Sequence, residues 1–206
     1  MPVDSTASSG DSGERGELFP DSDIGGAMSI RLVAVSGSRR DGSYTKQALE
    51  HVLRRAREAG AETTLLDLRA VDLPLYHPDL PASERGEVEE ALRLVREADA
   101  VVLGSPVYHD SYSSTFKNFH DYCGFDEYDR TVVGLVAVAG GGSYGSTFEH
   151  MRSTVRGVHG VVVPRQVGIR RARTKFAGGE VTDEGIEERL DALAEQVVDY
   201  AERLRR

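Results

Sequence analysis

The chain has 206 residues, a formal net charge of −9, 39% apolar residues and 29% charged ones. That length suits one domain with a sizeable core. The acid excess argues against a nucleic-acid surface, which needs a basic face to displace counterions, and no apolar run approaches the ~20 residues of a membrane helix.

One cysteine, Cys123, excludes a disulfide framework within the chain and points to a reducing, cytoplasmic setting. Cys123 and Arg130 stand as C-x6-R, one residue off the C-x5-R loop of Cys phosphatases, so Cys123 reads as a small semi-buried side chain. The basic residues are 3 Lys and 22 Arg against 34 Asp+Glu. Such a balance suits a carboxylate-hydrated surface in high salt or the codon bias of a GC-rich genome.

In chain order, residues 1–27 are rich in Ser, Gly, Asp and Glu. They cannot bury enough surface to offset their ordering entropy, so a disordered acidic tail is expected before a domain at 28–206. The tail lacks the basic start and apolar stretch of a signal peptide, and Met28 reads as an alternative start. Residues 30–35 are a β-branched run, as in a buried strand. Residues 45–59 carry apolar positions at helical spacing, with Gly60 as the cap. Residues 63–68 read as a second strand and 71–81 as Pro-rich and irregular. A helix is expected over 83–98, with Ser83 as N-cap and Val88, Ala91, Leu92 and Val95 on one face. Then come a strand at 100–103, a helix at 113–122, a strand at 131–139, a helix at 146–156 and a fifth strand at 160–163. Last is a helix with Ile186, Leu190, Leu193, Ala194, Val197, Val198, Ala201 and Leu204 in one stripe.

Alternation of strands and helices, with near-continuous apolar strands, implies an α/β three-layer fold: a five-stranded parallel sheet covered on both faces. In the flavodoxin-like order 2-1-3-4-5, ligands bind beyond the carboxyl ends of the strands. Three Gly/Ser-rich loops fall at that edge: 36–45, 104–112 and 139–146.

The first loop, Ser36-Gly37-Ser38-Arg39-Arg40-Asp41-Gly42-Ser43, has the composition of an anion site. Gly37 and Gly42 keep the P-loop spacing, but Ser43 and Tyr44 stand where its Lys and Ser/Thr belong. Arg39 occupies the place of the second glycine of a dinucleotide fingerprint. A phosphate monoester fits better. Hydroxyls of Ser38, Ser43 and Thr45, the helix N–H groups behind them and Arg40 as a charge-assisted donor can hold one. An ordinary solvated turn is the bland alternative. In the second loop Pro106, Val107, Tyr108 and His109 offer a stiff edge with an aromatic and an imidazole. In the third, Gly140, Gly141 and Gly142 permit close backbone approach. Phosphate pocket, rigid aromatic edge and glycine platform together describe flavin mononucleotide, FMN.

The chain resembles the NAD(P)H-dependent FMN reductase family, flavodoxin-like proteins that include quinone, chromate and azo-dye reductases. The family's G-S-x-R-x-x-S-x-N stands here as Gly37 to Thr45, with Thr45 replacing Asn. Its L-P-x-[YF] is matched by Leu73-Pro74-Leu75-Tyr76, and its P-x-Y-x and K-N-x-x-D by Pro106–His109 and Lys117-Asn118-x-x-Asp121. These motifs span about residues 30 to 150. The resemblance implies an FMN phosphate held by Ser38, Arg40, Ser43 and Thr45. It implies a ring laid against Pro106, Val107, Tyr108 and His109, with the 140–145 backbone on its other side.

It also implies ping-pong chemistry, in which NAD(P)H as co-substrate reduces the flavin and a small-molecule electron acceptor, such as a quinone or free flavin, reoxidises it. The cofactor carries that chemistry, so no catalytic side chain is expected. Backbone donors of the 104–109 and 140–145 loops are expected to stabilise the reduced ring. A homodimer or homotetramer is implied as well. A flavodoxin-like electron carrier that does not use NAD(P)H is the alternative; the phosphate loop of a carrier is usually T/S-rich with no arginine, whereas this one holds Arg40, and a third reading is a flavin-free fold relative that binds a protein partner or regulator. His120, His150 and His159 show no metal spacing, so no metal is expected. The basic stretch 164–181 matches nothing in the family pattern. Its 170–175 cluster reads as a solvated charge run, a loop near the site or an attractor for the 2′-phosphate of NADPH.

Overall fold

A computed structural model of the chain describes residues 29–205; the tail expected at 1–27 lies outside the described residues. The strands are β1 (Arg31–Ser36), β2 (Glu62–Asp67), β3 (Ala100–Pro106), β4 (Val132–Val138) and β5 (Val161–Ile169). They pair in parallel in the order β2-β1-β3-β4-β5, as expected. β3 and β4 are buried along their whole length, which is why both read as unbroken apolar runs.

Helices cover both faces. α1 (Tyr44–Glu58) and α6 (Glu184–Arg205) share one core with one side of the sheet. α2 (Val88–Arg96), α3 (Ser114–Tyr122), the short α4 (Phe125–Tyr128) and α5 (Gly145–Gly157) build the core on the other side. Where glycines line the sheet, helices close in. A Cβ on Gly104 would lie 2.7 Å from Leu49 of α1, and one on Gly134 would lie 2.9 Å from Val197 of α6.

Three expectations need correction. α2 begins at Val88, and Ser83 lies in a separate one-turn 3-10 helix, Ala82–Glu84. The cause is Gly86, whose φ of +61° cannot continue a helix. Glu87 N–H donates to Asp72 O instead. The apolar face of α2 is nonetheless the expected one, with Val88, Ala91, Leu92 and Val95 all buried. Second, the fifth strand runs on to Ile169. Its register slips between Val133↔Val162 and Leu135↔Gln166, so residues 163–165 bulge opposite a single residue of β4. Pro164 sits in that bulge of an edge strand, where its missing N–H costs no ladder bond. Third, the stretch after β5 is ordered into a 3-10 turn, Ala172–Thr174, and a hairpin of β6 (Phe176–Ala177) and β7 (Glu180–Val181). Gly178 and Gly179, at φ +61° and +90°, form its turn.

Two sequence motifs find a structural use. Asn118 accepts from Tyr76 N–H at 2.7 Å and donates to Pro74 O at 2.8 Å. The Leu73–Tyr76 connector is thereby tied to α3. Cys123 is buried, its thiol donating to Phe119 O, and burial pushes its pKa far above the usual thiol range.

Two outcomes follow. Cys123 should resist a thiol reagent in the native protein and react at an ordinary thiol rate only after unfolding; fast labelling under native conditions would contradict its burial. Ser113→Ala removes a side chain that accepts from Phe116 N–H as the α3 cap and donates to Gly37 O at 2.6 Å. Urea denaturation should show a loss of about 1–3 kcal/mol, and a change within a few tenths would mean the contact is idle.

Candidate functional site

The site is built where β1 and β3 end side by side. Gly37 N–H donates to Gly104 O at 2.8 Å, and a Cβ on Gly37 would lie 2.8 Å from the Cβ of Phe116. The chain therefore turns sharply over the sheet edge before entering α1. Ser43 caps α1, its hydroxyl accepting from Lys46 N–H at 3.2 Å. Ser38 Oγ accepts from Arg40 N–H at 3.4 Å. Ser38, Ser43 and Thr45 are only 4%, 6% and 2% exposed. Among the described residues the backbone N–H groups of 38, 39 and 41–45 have no acceptor. They gather at the positive end of the α1 dipole. Asp41, the one acid in the loop, is paired with Arg69, and Lys46 points away to Asp67 at 3.1 Å. What remains is a neutral cradle of hydroxyls and N–H groups with Arg40 at its mouth.

The opposing wall is the tip of β3. Ser105 Oγ accepts from Ser113 N–H at 2.9 Å and donates to Pro106 O at 2.9 Å, which stiffens the turn. Tyr108 and Ser111 bridge each other across a tight turn with His109 and Asp110 at φ 50° and 60°. One cavity of about 630 Å³ brings together Ser38, Arg40, Ser43, Tyr44, Thr45, Pro106, Val107, Tyr108, Val138, Gly140, Ala172 and Arg173. A second, of about 680 Å³, is lined by Gly141, Gly142, Ser143, Arg170, Arg171 and Lys175.

Eight of the residues singled out from the sequence thus share one cavity. Gly141 and Gly142 face its neighbour. His109 lines neither cavity and sits exposed at the tip of the Tyr108–Ser111 turn. The expected backbone donors of the second loop are also largely committed. Val107 N–H donates to Val138 O and Tyr108 N–H to Ser111 O, both at 2.9 Å, and Pro106 has none. Free N–H groups at this wall lie on residues 140–144 instead, for which no acceptor is found among the described residues. The three histidines considered for a metal are dispersed. His120 stacks on Phe116, His150 bonds Ser111 at 3.0 Å and His159 stacks on Phe125.

Tyr44, Val138, Ala172 and Arg173 were not foreseen. Tyr44 lies inside the first motif and stacks on Phe176 with ring centroids 5.0 Å apart. Its neighbourhood in sequence was the available signal. Ala172 and Arg173 arrive because Ala172 N–H donates to Ala139 O at 3.2 Å, which folds the basic stretch back over the end of β4.

The donor set fits the phosphate of FMN, and Gly140 opens on the same cavity. Gly140, Gly141 and Gly142 have no left-handed φ, and a Cβ on any of them would meet nothing within 4 Å. Neither backbone conformation nor protein packing demands glycine there; the space is open to a ligand.

Residues 30–174 match the NADPH-dependent FMN reductase family. The NADPH azoreductase of Bacillus sp. (strain OY1-2) is 32% identical over 67% of this chain and 75% of its own length. The FMN-dependent NADPH-azoreductase of Staphylococcus saprophyticus is 31% identical over 67% of this chain and 76% of its own. Among solved structures, the flavoenzyme NAD(P)H:(acceptor) oxidoreductase FerB of Paracoccus denitrificans superposes with a TM-score of 0.68 at 23% identity, covering 84% of this chain and 98% of that one. With a match across most of its length, the chain belongs to the NADPH-dependent FMN reductase family.

Proposed function

We propose that the chain binds FMN in the 630 Å³ cavity and acts as an NAD(P)H-dependent oxidoreductase toward a small acceptor, a quinone, a free flavin or an azo compound. The observation that carries this reading is the cradle at 38–45: three buried hydroxyls and a row of unpaired N–H groups opening on a cavity whose far wall is Pro106, Val107 and Tyr108.

When bound, the flavin supplies hydride acceptance from nicotinamide and release of the electrons to the acceptor. The protein's part is to bind, orient and complement charge. Ser38, Ser43 and Thr45 take the phosphate together with the N–H groups before α1, and Arg40 adds a charge-assisted donor. Pro106 and Val107 give the ring an apolar rest, and the half-exposed Tyr108 forms its rim. The free N–H groups of 140–144 lie where a ring that gains negative charge can be met by donors that need no rearrangement. No side chain has to move a proton. The family match and the azoreductase relatives favour this reading over a carrier that exchanges single electrons with a protein partner. A homodimer or homotetramer belongs to the same proposal and is supported by the exposure of Leu75 and Tyr76. A cytoplasmic location is supported by the single cysteine.

FMN titration followed by flavin fluorescence should quench saturably, and Arg40→Ala should weaken binding about tenfold. Riboflavin, which lacks the phosphate, should lose more. Absence of quenching by the folded protein rejects the flavin reading. Under anaerobic conditions NADPH should bleach the bound flavin, and a quinone or azo dye should restore its absorbance with parallel double-reciprocal plots. If NADPH leaves the flavin oxidised while a protein donor reduces it, the carrier reading replaces the enzyme.

A further inference from the structure

The cradle at 38–45 is short of positive charge. Its hydroxyls are neutral, and its N–H groups carry only the partial charge of a helix start. Arg40 is the one cation of this loop that lines the cavity, and Lys46 is drawn off to Asp67 at 3.1 Å. A phosphate monoester carries about −1.5 to −2 at neutral pH, so Arg40 alone leaves much of the second charge unmatched. A second guanidinium lines the same cavity. It belongs to Arg173, which arrives from the stretch after β5 and not from any of the three loops that follow β1, β3 and β4.

The cations around Arg173 that do not line this cavity are taken up by acids. Lys175 is held by Asp183, and Arg54 of α1 by Glu180 of the hairpin at 3.1 Å. Among the described residues Arg173 has no carboxylate partner, and no carboxylate lines the cavity it enters. The backbone that carries it is fixed at both ends. Ala172 N–H donates to Ala139 O at 3.2 Å, at the tip of β4, and Lys175 N–H donates to Ala172 O at 2.9 Å. Arg171, just before, holds a left-handed φ of 50°, which a non-glycine residue keeps only where its neighbours impose it. On the other side Phe176 is buried and stacks on Tyr44, the first residue of α1, with ring centroids 5.0 Å apart. The turn is thus pinned against the start of α1, where the cradle lies.

We propose that Arg173 is a second cationic contact for the phosphate of the bound flavin, and that Arg40 and Arg173 together make the cavity select a dianionic phosphate ester over a monoanionic one. This rests on the flavin reading of that cavity. Guanidinium forks on two sides of one phosphate can donate to different oxygens by charge-assisted hydrogen bonds. The hydroxyls and helix N–H groups take the oxygens that remain. With one cation in the site the second negative charge of the ester gains little; with two, each charge has its counterpart. Selection by charge then adds to selection by shape.

The test is a fluorescence titration of the full chain with three flavins: FMN, its monoanionic isostere riboflavin 5′-sulfate, and riboflavin. The unaltered protein should bind FMN about tenfold or more tightly than the sulfate ester. Arg173→Gln, a change on an exposed turn, should weaken FMN about tenfold, remove most of its advantage over the sulfate ester and leave riboflavin where it was. Equal affinity of the unaltered protein for FMN and the sulfate ester overturns the proposal. So does an Arg173→Gln protein that binds FMN undiminished, or one that loses FMN and riboflavin by the same factor, for Arg173 would then serve the ring. Quenching by none of the three flavins rejects the flavin cavity itself and this proposal with it, whereas FMN binding that ignores Arg173 rejects the proposal alone.

Discussion

Ser113 ties three elements together. Its hydroxyl donates to Gly37 O and accepts from Phe116 N–H to cap α3, and its backbone N–H donates to Ser105 Oγ at the tip of β3. With Gly37 N–H on Gly104 O, these contacts fix the first loop to the third strand. The cradle at 38–45 and the edge at 106–108 can face each other across a constant gap only because this buried junction holds both. Gly37 and Gly104 serve the same end by absence of a side chain, since either Cβ would force apart the layers that meet there. Preorganisation of the cavity is thus a property of the sheet edge, where two parallel strands end in register, Ser36 opposite Gly104.

Charge adds the second level. The chain is acidic overall, yet the loops at the carboxyl edge carry arginines with no carboxylate partner among the described residues. Asp41 is turned to Arg69, and Asp183 holds Lys175 from outside the cavity. A field of local positive sign in an acidic molecule draws anions to one place and leaves the rest of the surface repelling them. For the proposed chemistry both the cofactor and the reductant are anions.

Much of this was legible in the sequence for identifiable reasons. β1, β3 and β4 are buried on both faces, so their apolar runs are continuous; Ser43 and Ser113 are hydroxyl caps before clean helical periods. The parallel sheet and the three loops at its carboxyl edge followed from the alternation, and the strand order from the flavodoxin-like type. The end of β5 was hidden because an edge strand with a bulge at 163–165 and a proline within it breaks every periodic signal. The start of α2 was misplaced because a single residue, Gly86, decides it through its φ. The Gly178-Gly179 pair is a hairpin signal that could have been read, but two-residue strands carry no alternation of their own. Donor availability in the second loop was beyond reach: that Val107 and Tyr108 N–H already have acceptors depends on Val138 and Ser111, a matter of strand register.

The most direct test of the account is a crystal structure of the full chain grown with FMN. The account predicts the phosphate within hydrogen-bonding distance of the N–H groups and hydroxyls of residues 38–45, with the ring along Pro106, Val107 and Tyr108 and its polar edge toward the 140–144 backbone. A phosphate seated among Arg170, Arg171 and Ser143, or a ring lying elsewhere, would contradict it.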